Sequence, residues 1–343
     1  MPNRAIIVGI QAYPELPPAL QGPKNDAKKF FEWVTTHGGV AVTDAHLILD
    51  DDPPAATAVS AHPTAEVIKY LFDLLEEEAT HSPNGRAGDR LYLYLSGHGF
   101  GQSLTDASLL MANATKSRTR HHIPGRPWAD HFFANGYFRE VLLFLDCCRE
   151  RYSTTTLNGP GTTIPGVPPP GAQCFYGFAA KYGKLAVERT IDGQTGGVFT
   201  ATLLDALKGG AAEEDGRITG ETLKAYLYEN MKEFLSPADL ADKDIAKEPD
   251  LYCEPPEDQF VIANVEPTKF DVTIPLPAGS EASDRQLFGE ANGKKYTKID
   301  SRPADGTLEW RLPLLRGTYQ LIVNGNSWVV TVKGRGITDV AKP

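Results

Sequence analysis

The sequence predicts an α/β protein with a mostly parallel sheet and helices on both faces, followed by a small C-terminal all-β, sandwich-like domain. Three observations point there. Short, fully apolar, β-branched runs alternate with amphipathic stretches through most of the chain, the pattern of a sheet buried on both sides. After about Pro255 this gives way to short strands separated by Gly, Pro and Asn. The 343 residues, 41% hydrophobic and 23% charged, suffice for one large core and a smaller one.

The elements follow in order. "RAIIVGI" (4–10) reads as a buried strand. Residues 25–39 read as a helix with Asn25 or Asp26 as cap, Phe30, Phe31 and Val34 as its apolar stripe, and Gly38-Gly39 as its stop. A strand at 45–50 and an amphipathic helix at 64–79, capped by Thr64, come next. "DRLYLYLSGHG" (89–99) is a strand running into a glycine-flanked histidine, and "VLLFLD" (141–146) is a further buried strand. Residues 152–173, rich in Thr, Gly and Pro, are expected as a long exposed loop. A strand at 174–180 and helices at 196–210 and 219–235 complete a domain spanning 1–262. The remaining residues, 266–343, form the β domain, where Gly325 between asparagines marks a hairpin.

Bulk chemistry narrows the function. A net charge of −10 argues against nucleic-acid binding and suits basic substrates. Four cysteines, Cys147, Cys148, Cys174 and Cys253, lack C-x-x-C spacing, so neither zinc nor a disulfide framework is expected. The first apolar run is too short for a signal peptide, and no stretch approaches a membrane span. A cytoplasmic monomer that touches no membrane is expected.

Sites in open parallel sheets form at the carboxyl ends of strands. Two apolar strands end in reactive residues: one in "SGHG" with His98, the other in "DCC" with Cys147 and Cys148. If these strands are neighbours, an imidazole and a thiol meet at one rim, and the imidazole can deprotonate the thiol for attack on a carbonyl. The N–H groups of Gly99 and of a cysteine could hold the developing oxyanion. Adjacent extended residues point to opposite faces, so only one cysteine can face the histidine, and spacing alone does not choose between them.

These residues resemble the caspase-like cysteine peptidases, the clan of caspases, paracaspases and metacaspases, and most of all its metacaspase-like bacterial members. The signature Q-A-C-[RQG]-G, with a histidine about 50 residues upstream, maps onto "DCCRE", its third position being Cys148. "SGHG" and D-x-C match the metacaspase pattern. "LQGPKNDA" (20–27) resembles L-x-G-C-x-N-D-A with Pro23 for the cysteine, and "GGVFTATLLDAL" and "RITGETLKAYL" resemble the small-subunit segments. Glu150 departs from the usual glycine. The resemblance covers roughly residues 1–262. It implies Cys148 as nucleophile, His98 as proton carrier, Gly99 and Cys148 as oxyanion donors, and Cys147 turned away.

The resemblance also implies a basic-residue pocket formed by Asp26, Ser96 and Asp146, hence cleavage after Arg in preference to Lys. Buried carboxylates need a cationic partner, and a guanidinium can satisfy two at once. The expected substrates are proteins or peptides with Arg or Lys at the cleavage site, in a regulated protease of signalling or defence. Self-cleavage at Arg149, Arg151, Lys181 or Lys184 beside the 152–173 loop is a further implication. Many metacaspases use calcium, but neither 50–52 nor 238–250 has EF-hand spacing, so both read as solvated acidic faces and no cofactor or metal is expected. The β domain suggests an interaction role with a regulatory protein partner. The alternative is an inactive caspase-fold binding module regulated by that domain.

Overall fold

The computed structural model describes residues 1–151, 159–161, 168, 170–291, 294–335 and 337–341. Most of the expected 152–173 loop therefore lies outside the described residues. The chain divides into two compact units. One comprises Met1–Leu204 and Phe234–Phe260, the other Asp205–Glu233 and Val261–Pro343.

The first unit is built on strands β1 (Arg4–Gly9), β2 (Ala45–Leu49), β3 (Arg90–Ser96), β4 (Gly99–Gly101), β5 (Ser108–Leu110), β6 (His122–Pro124), β7 (Glu140–Asp146), β8 (Glu150–Arg151), β9 (Gln173–Phe178), β10 (Glu188–Ile191), β11 (Gln194–Gly197) and β13 (Asp250–Cys253). Its helices are α1 (Pro23–Thr36), α2 (Ala65–His81), α3 (Gly125–Ala134), α4 (Val198–Asp205, whose last residue falls in the second unit) and α6 (Pro237–Ala241). The central sheet has the order β13-β9-β7-β3-β1-β2, all parallel except β13, which runs antiparallel to β9.

Period-two alternation divides the side chains of this sheet between two layers. Ile6, Val8, Leu93 and Leu143 share a core with Ile68 and Phe72 of α2 and Trp128 and Phe132 of α3. On the other face, Tyr92, Tyr94 and Phe144 pack their rings against Phe30 of α1. Both faces are dry, which is why β1, β3 and β7 are continuous apolar runs. A second sheet, β6-β5-β4-β8, rises beyond the end of β3. A hairpin, β10–β11, precedes α4. Among the described residues no helix is long and apolar enough to cross a membrane.

The expected α1 starts late in the sequence reading. The helix opens with Pro23 at its first position after Gly22, so Asp26 is not a cap but lies buried in the first turn. The expected helix at 196–210 begins only at Val198, because Gly196 and Gly197 belong to β11.

In the second unit, α5 (Gly220–Asn230) is capped by Thr219, and β12 (Arg217–Thr219) pairs with β14 (Val261–Asn264). The C-terminal strands are β15 (Phe270–Pro275), β16 (Arg285–Ala291), β17 (Lys294–Arg302), β18 (Glu309–Leu314), β19 (Gly317–Val323), β20 (Asn326–Gly334) and β21 (Ile337–Ala341). They form two antiparallel sheets, β17-β16-β19-β20-β21 and β15-β18. Val272, Ile274, Trp310, Leu321 and Val330 are buried there, so Trp310 is a core residue. Asn324 and Gly325, both at positive φ, make the tight turn between β19 and β20. The buried Asn230 fastens α5 to this sheet, donating to the Lys333 carbonyl at 3.0 Å and accepting from Arg335 N–H at 3.1 Å.

Candidate active site

Strands β3 and β7 are direct neighbours in register, ending with Ser96 opposite Asp146. Gly97 N–H then reaches the Asp146 carbonyl at 3.2 Å. Pairing resumes immediately beyond, in the second sheet, with Phe100 opposite Glu150 and Gly101 opposite Arg151. On both sides of the break the partners are fifty positions apart. Positions 98 and 148 therefore come together across it.

His98 is half-buried and held at both ends. Its backbone N–H donates to the Tyr13 hydroxyl at 3.0 Å, and its Nε2 lies 2.8 Å from the Pro18 carbonyl. A carbonyl can only accept, so Nε2 carries the proton and Nδ1 is left with the lone pair. Burial pushes the imidazole pKa down, offset in part by the Pro18 carbonyl and the charges of Glu188 and Glu150. Leu110 N–H donates to the His98 carbonyl at 2.8 Å, so His98 turns its backbone groups toward β5. Strand alternation then turns the Gly99 N–H to the opposite edge, where β8 follows Cys148.

The two cysteines diverge. Cys147 is 3% exposed, belongs to the core shared with α2 and α3, and packs so closely on Gly99 that a Cβ there would overlap its sulfur. Burial drives its thiol pKa well above the ordinary value. Cys148 is half-buried, with Sγ 3.5 Å from the Ala186 carbonyl. Its thiol is pushed up to about 11, first by burial and then by Glu150, Asp146 and Glu188. The lowered imidazole pKa of His98 and the raised thiol pKa of Cys148 each favour the uncharged form of the group.

Asp26, Ser96 and Asp146 are all buried. Asp26 Oδ2 accepts from Gly197 N–H at 2.7 Å. Asp146 Oδ2 accepts from both the N–H and the hydroxyl of Thr200, at 3.1 and 2.6 Å. That hydroxyl has given away its proton, so the Tyr94 hydroxyl, 2.6 Å away, donates to it. Burial and the charge of Asp146 push the Asp26 carboxyl up to about 8, and burial pushes Asp146 up to about 6. Neither carboxyl forms an ion pair among the described residues. Bare backbone closes over them: a Cβ on Gly196 would stand 2.5 Å from Asp26 Oδ1, and one on Gly197 would overlap Asp146 Oδ2.

Sequence reasoning missed a third carboxylate. Glu188, at the start of β10, accepts from Gln21 N–H at 3.1 Å and Gly22 N–H at 2.8 Å. Its charge reaches Asp26, Asp146, His98 and Cys148 alike. The readable trace was Asp192-Gly193, a hairpin turn signal with both residues at positive φ. Arg149 was also underread. It is wholly buried, paired with Asp250 at 2.5 Å, bonded to the carbonyls of Asp106, Ala180 and Leu104, and stacked 4.8 Å over Phe178. It anchors the chain leaving Cys148 and is a poor candidate for self-cleavage.

The acidic stretches are solvated only in part: Asp52, Asp242, Asp244 and Glu248 are exposed, whereas three other acids have internal partners. Asp50 is buried, accepts from Gln11 and Ala12 N–H, and pairs with Lys24 at 3.1 Å. Asp239 is buried against Arg189, and Asp250 holds Arg149. Among the described residues no cluster of three or more His, Cys, Asp or Glu is arranged to hold a metal ion.

A family model described as the caspase domain matches residues 2–259. A probable protease of a Desulfuromonadales bacterium is 30% identical over 220 residues, covering 61% of this chain. The match spans only 26% of that relative's length. The crystal structure of caspase-1 from Spodoptera frugiperda is similar at 12% identity and a TM-score of 0.48, covering 77% of this chain and 90% of that one.

Proposed function

From the premise that the chain belongs to the caspase-domain family of peptidases, we propose that it is a cysteine endopeptidase cutting after Arg, and less readily after Lys, through His98 and Cys148. The observation that carries this reading is the shared register on either side of the two residues, Ser96 with Asp146 and Phe100 with Glu150.

In the proposed reaction His98 Nδ1 takes the proton of the neutral Cys148 thiol as sulfur attacks the scissile carbonyl carbon. The N–H groups of Gly99 and Cys148 hold the oxyanion. The tetrahedral intermediate collapses, the C–N bond breaks, and His98 returns the proton to the leaving amine. Water, deprotonated by His98, then hydrolyses the thioester and frees the thiol. The Pro18 carbonyl supports each step by fixing the imidazole tautomer. The resting neutral pair makes His98 a general base in the attack, because a lowered pKa keeps the imidazole unprotonated and able to accept the thiol proton.

Arg preference rests on Asp26, Ser96 and Asp146. Two buried carboxyls without an internal cation favour a guanidinium, whose planar fork can meet both, over the single point charge of lysine. Glu188 adds a third carboxyl at the same rim. The reading makes this a regulated protease acting on protein or peptide substrates.

Hydrolysis of fluorogenic peptides ending in Arg, Lys or Asp tests this directly. Wild type and Cys147→Ala should cleave Arg peptides best, and Cys148→Ala should lose activity by orders of magnitude. Preference for Asp would remove the pocket assignment. Full activity in Cys148→Ala would remove the mechanism and favour a non-catalytic binding module.

A further inference from the structure

We propose that Tyr13 is a positioning residue for His98, acting as a hydroxyl inserted into the backbone ladder at the histidine; this rests on the cysteine-peptidase reading above. The ladder between β4 and β5 pairs Phe100 with Ser108 and Gly99 with Leu109. The next pair in line is His98 with Leu110. An antiparallel pair at that step exchanges two bonds, N–H to O in each direction. Only one is direct: Leu110 N–H donates to the His98 carbonyl at 2.8 Å.

The other is relayed. His98 N–H donates to Tyr13 Oη at 3.0 Å, and Tyr13 Oη donates to the Leu110 carbonyl at 3.0 Å. The phenol thus fills the gap of a missing ladder bond and holds the histidine backbone away from β5. Its ring also rests on the imidazole, with centroids 4.8 Å apart and planes at 58°. Gly97, at φ +153°, leaves the space: a Cβ there would overlap the Tyr13 hydroxyl. Burial keeps the phenol protonated and able to donate.

Without the hydroxyl, the two backbone groups can be satisfied by closing the ladder. His98 would then move toward Leu110 and away from the strand that carries Cys148. Tyr13 bonds the backbone of His98 and Leu110 and lies apart from Asp26, Ser96 and Asp146 in the hydrogen-bond pattern, so its effect falls on the chemical step and not on capture of the basic side chain.

The test compares wild type, Tyr13→Phe and Cys148→Ala on an Arg peptide, with folding checked by circular dichroism. Tyr13→Phe should lower kcat about 10- to 100-fold, the scale of a misplaced catalytic group, and leave KM within about twofold. Alkylation of Cys148 by iodoacetamide gives a second readout. In wild type its rate should rise with deprotonation of the imidazole, whereas in Tyr13→Phe that limb should vanish and leave only the thiol's own titration. A folded Tyr13→Phe with wild-type kcat and alkylation profile overturns the positioning role while leaving the peptidase reading intact. Activity persisting in Cys148→Ala overturns that reading and this role together. If Tyr13→Phe does not fold, 3,5-difluorotyrosine at position 13 keeps ring and hydroxyl but weakens the oxygen as acceptor. A fall in kcat of about twofold or more at constant KM then supports the bridge, and an unchanged kcat overturns it.

Discussion

Thr200 ends both of its donors, backbone and side chain, on one oxygen of Asp146. The carboxyl is thereby fixed in place and kept from rising further than about 6. Thr200→Val removes the hydroxyl donor and strands the Tyr94 phenol behind it. Fewer Asp146 side chains would be ionised at neutral pH. KM for Arg peptides should rise about tenfold, the worth of one hydrogen bond to a charged group, with kcat little changed and KM recovering as pH increases. Steady-state kinetics across pH 6–9 would check this, and an unchanged KM would detach Thr200 from the pocket.

Asp26 sets a second pH dependence. Its carboxyl is raised from 3.8 to about 8, so the empty pocket is protonated below that pH. A guanidinium binds the carboxylate, so kcat/KM for Arg peptides should climb as pH rises toward 8. Stability runs the other way. A group that binds its proton more tightly folded than unfolded stabilises at low pH, and that contribution is lost as pH rises from about 4 through about 8. Asp26→Asn should therefore raise Tm by about 3–5 °C at pH 8, with little change at pH 4, while weakening Arg cleavage at pH 8 and much less at low pH. A variant less stable at pH 8 would contradict the raised carboxyl.

Arg149 supports the nucleophile from behind. Arg149→Met leaves Asp250 without its partner and four carbonyls, those of Ser103, Leu104, Asp106 and Ala180, without a donor. Asp250, 39% exposed at its side chain, can turn to water, but each buried carbonyl left unsatisfied costs about 1–3 kcal/mol. Denaturant unfolding should show that loss, and kcat should fall as the chain after Cys148 loosens. Intact mass of the active enzyme should show no cut at Arg149.

The central sheet was legible because strands buried on both faces have no room for polar residues. The runs at 4–10, 89–99 and 141–146 therefore announced β1, β3 and β7, and with them the rim carrying His98 and the cysteines. The choice of Cys148 rested on the family pattern; the burial of Cys147 against Gly99 is a packing fact that no spacing discloses. The small sheet of β4, β5, β6 and β8 went unread because its strands are two or three residues long, below the length at which periodicity registers. The early start of α1 hid behind Pro23, which favours a first helical position as much as a turn. The pair Gly196-Gly197 looked like the opening of a helix. Its actual demand is tertiary: backbone must press on Asp26 and Asp146 with nothing projecting between.

That bare stretch also constrains how selectivity could drift over evolution. A pocket lined by interchangeable side chains can be retuned one substitution at a time. Here the wall that Gly196 and Gly197 lay over the two acids is main chain, which mutation cannot recolour, and any enlargement at 196 or 197 collides with a carboxyl. A descendant with a different taste in substrates would have to lift the whole β10–β11 ribbon first, so a switch of preference is more accessible by loop exchange than by point change.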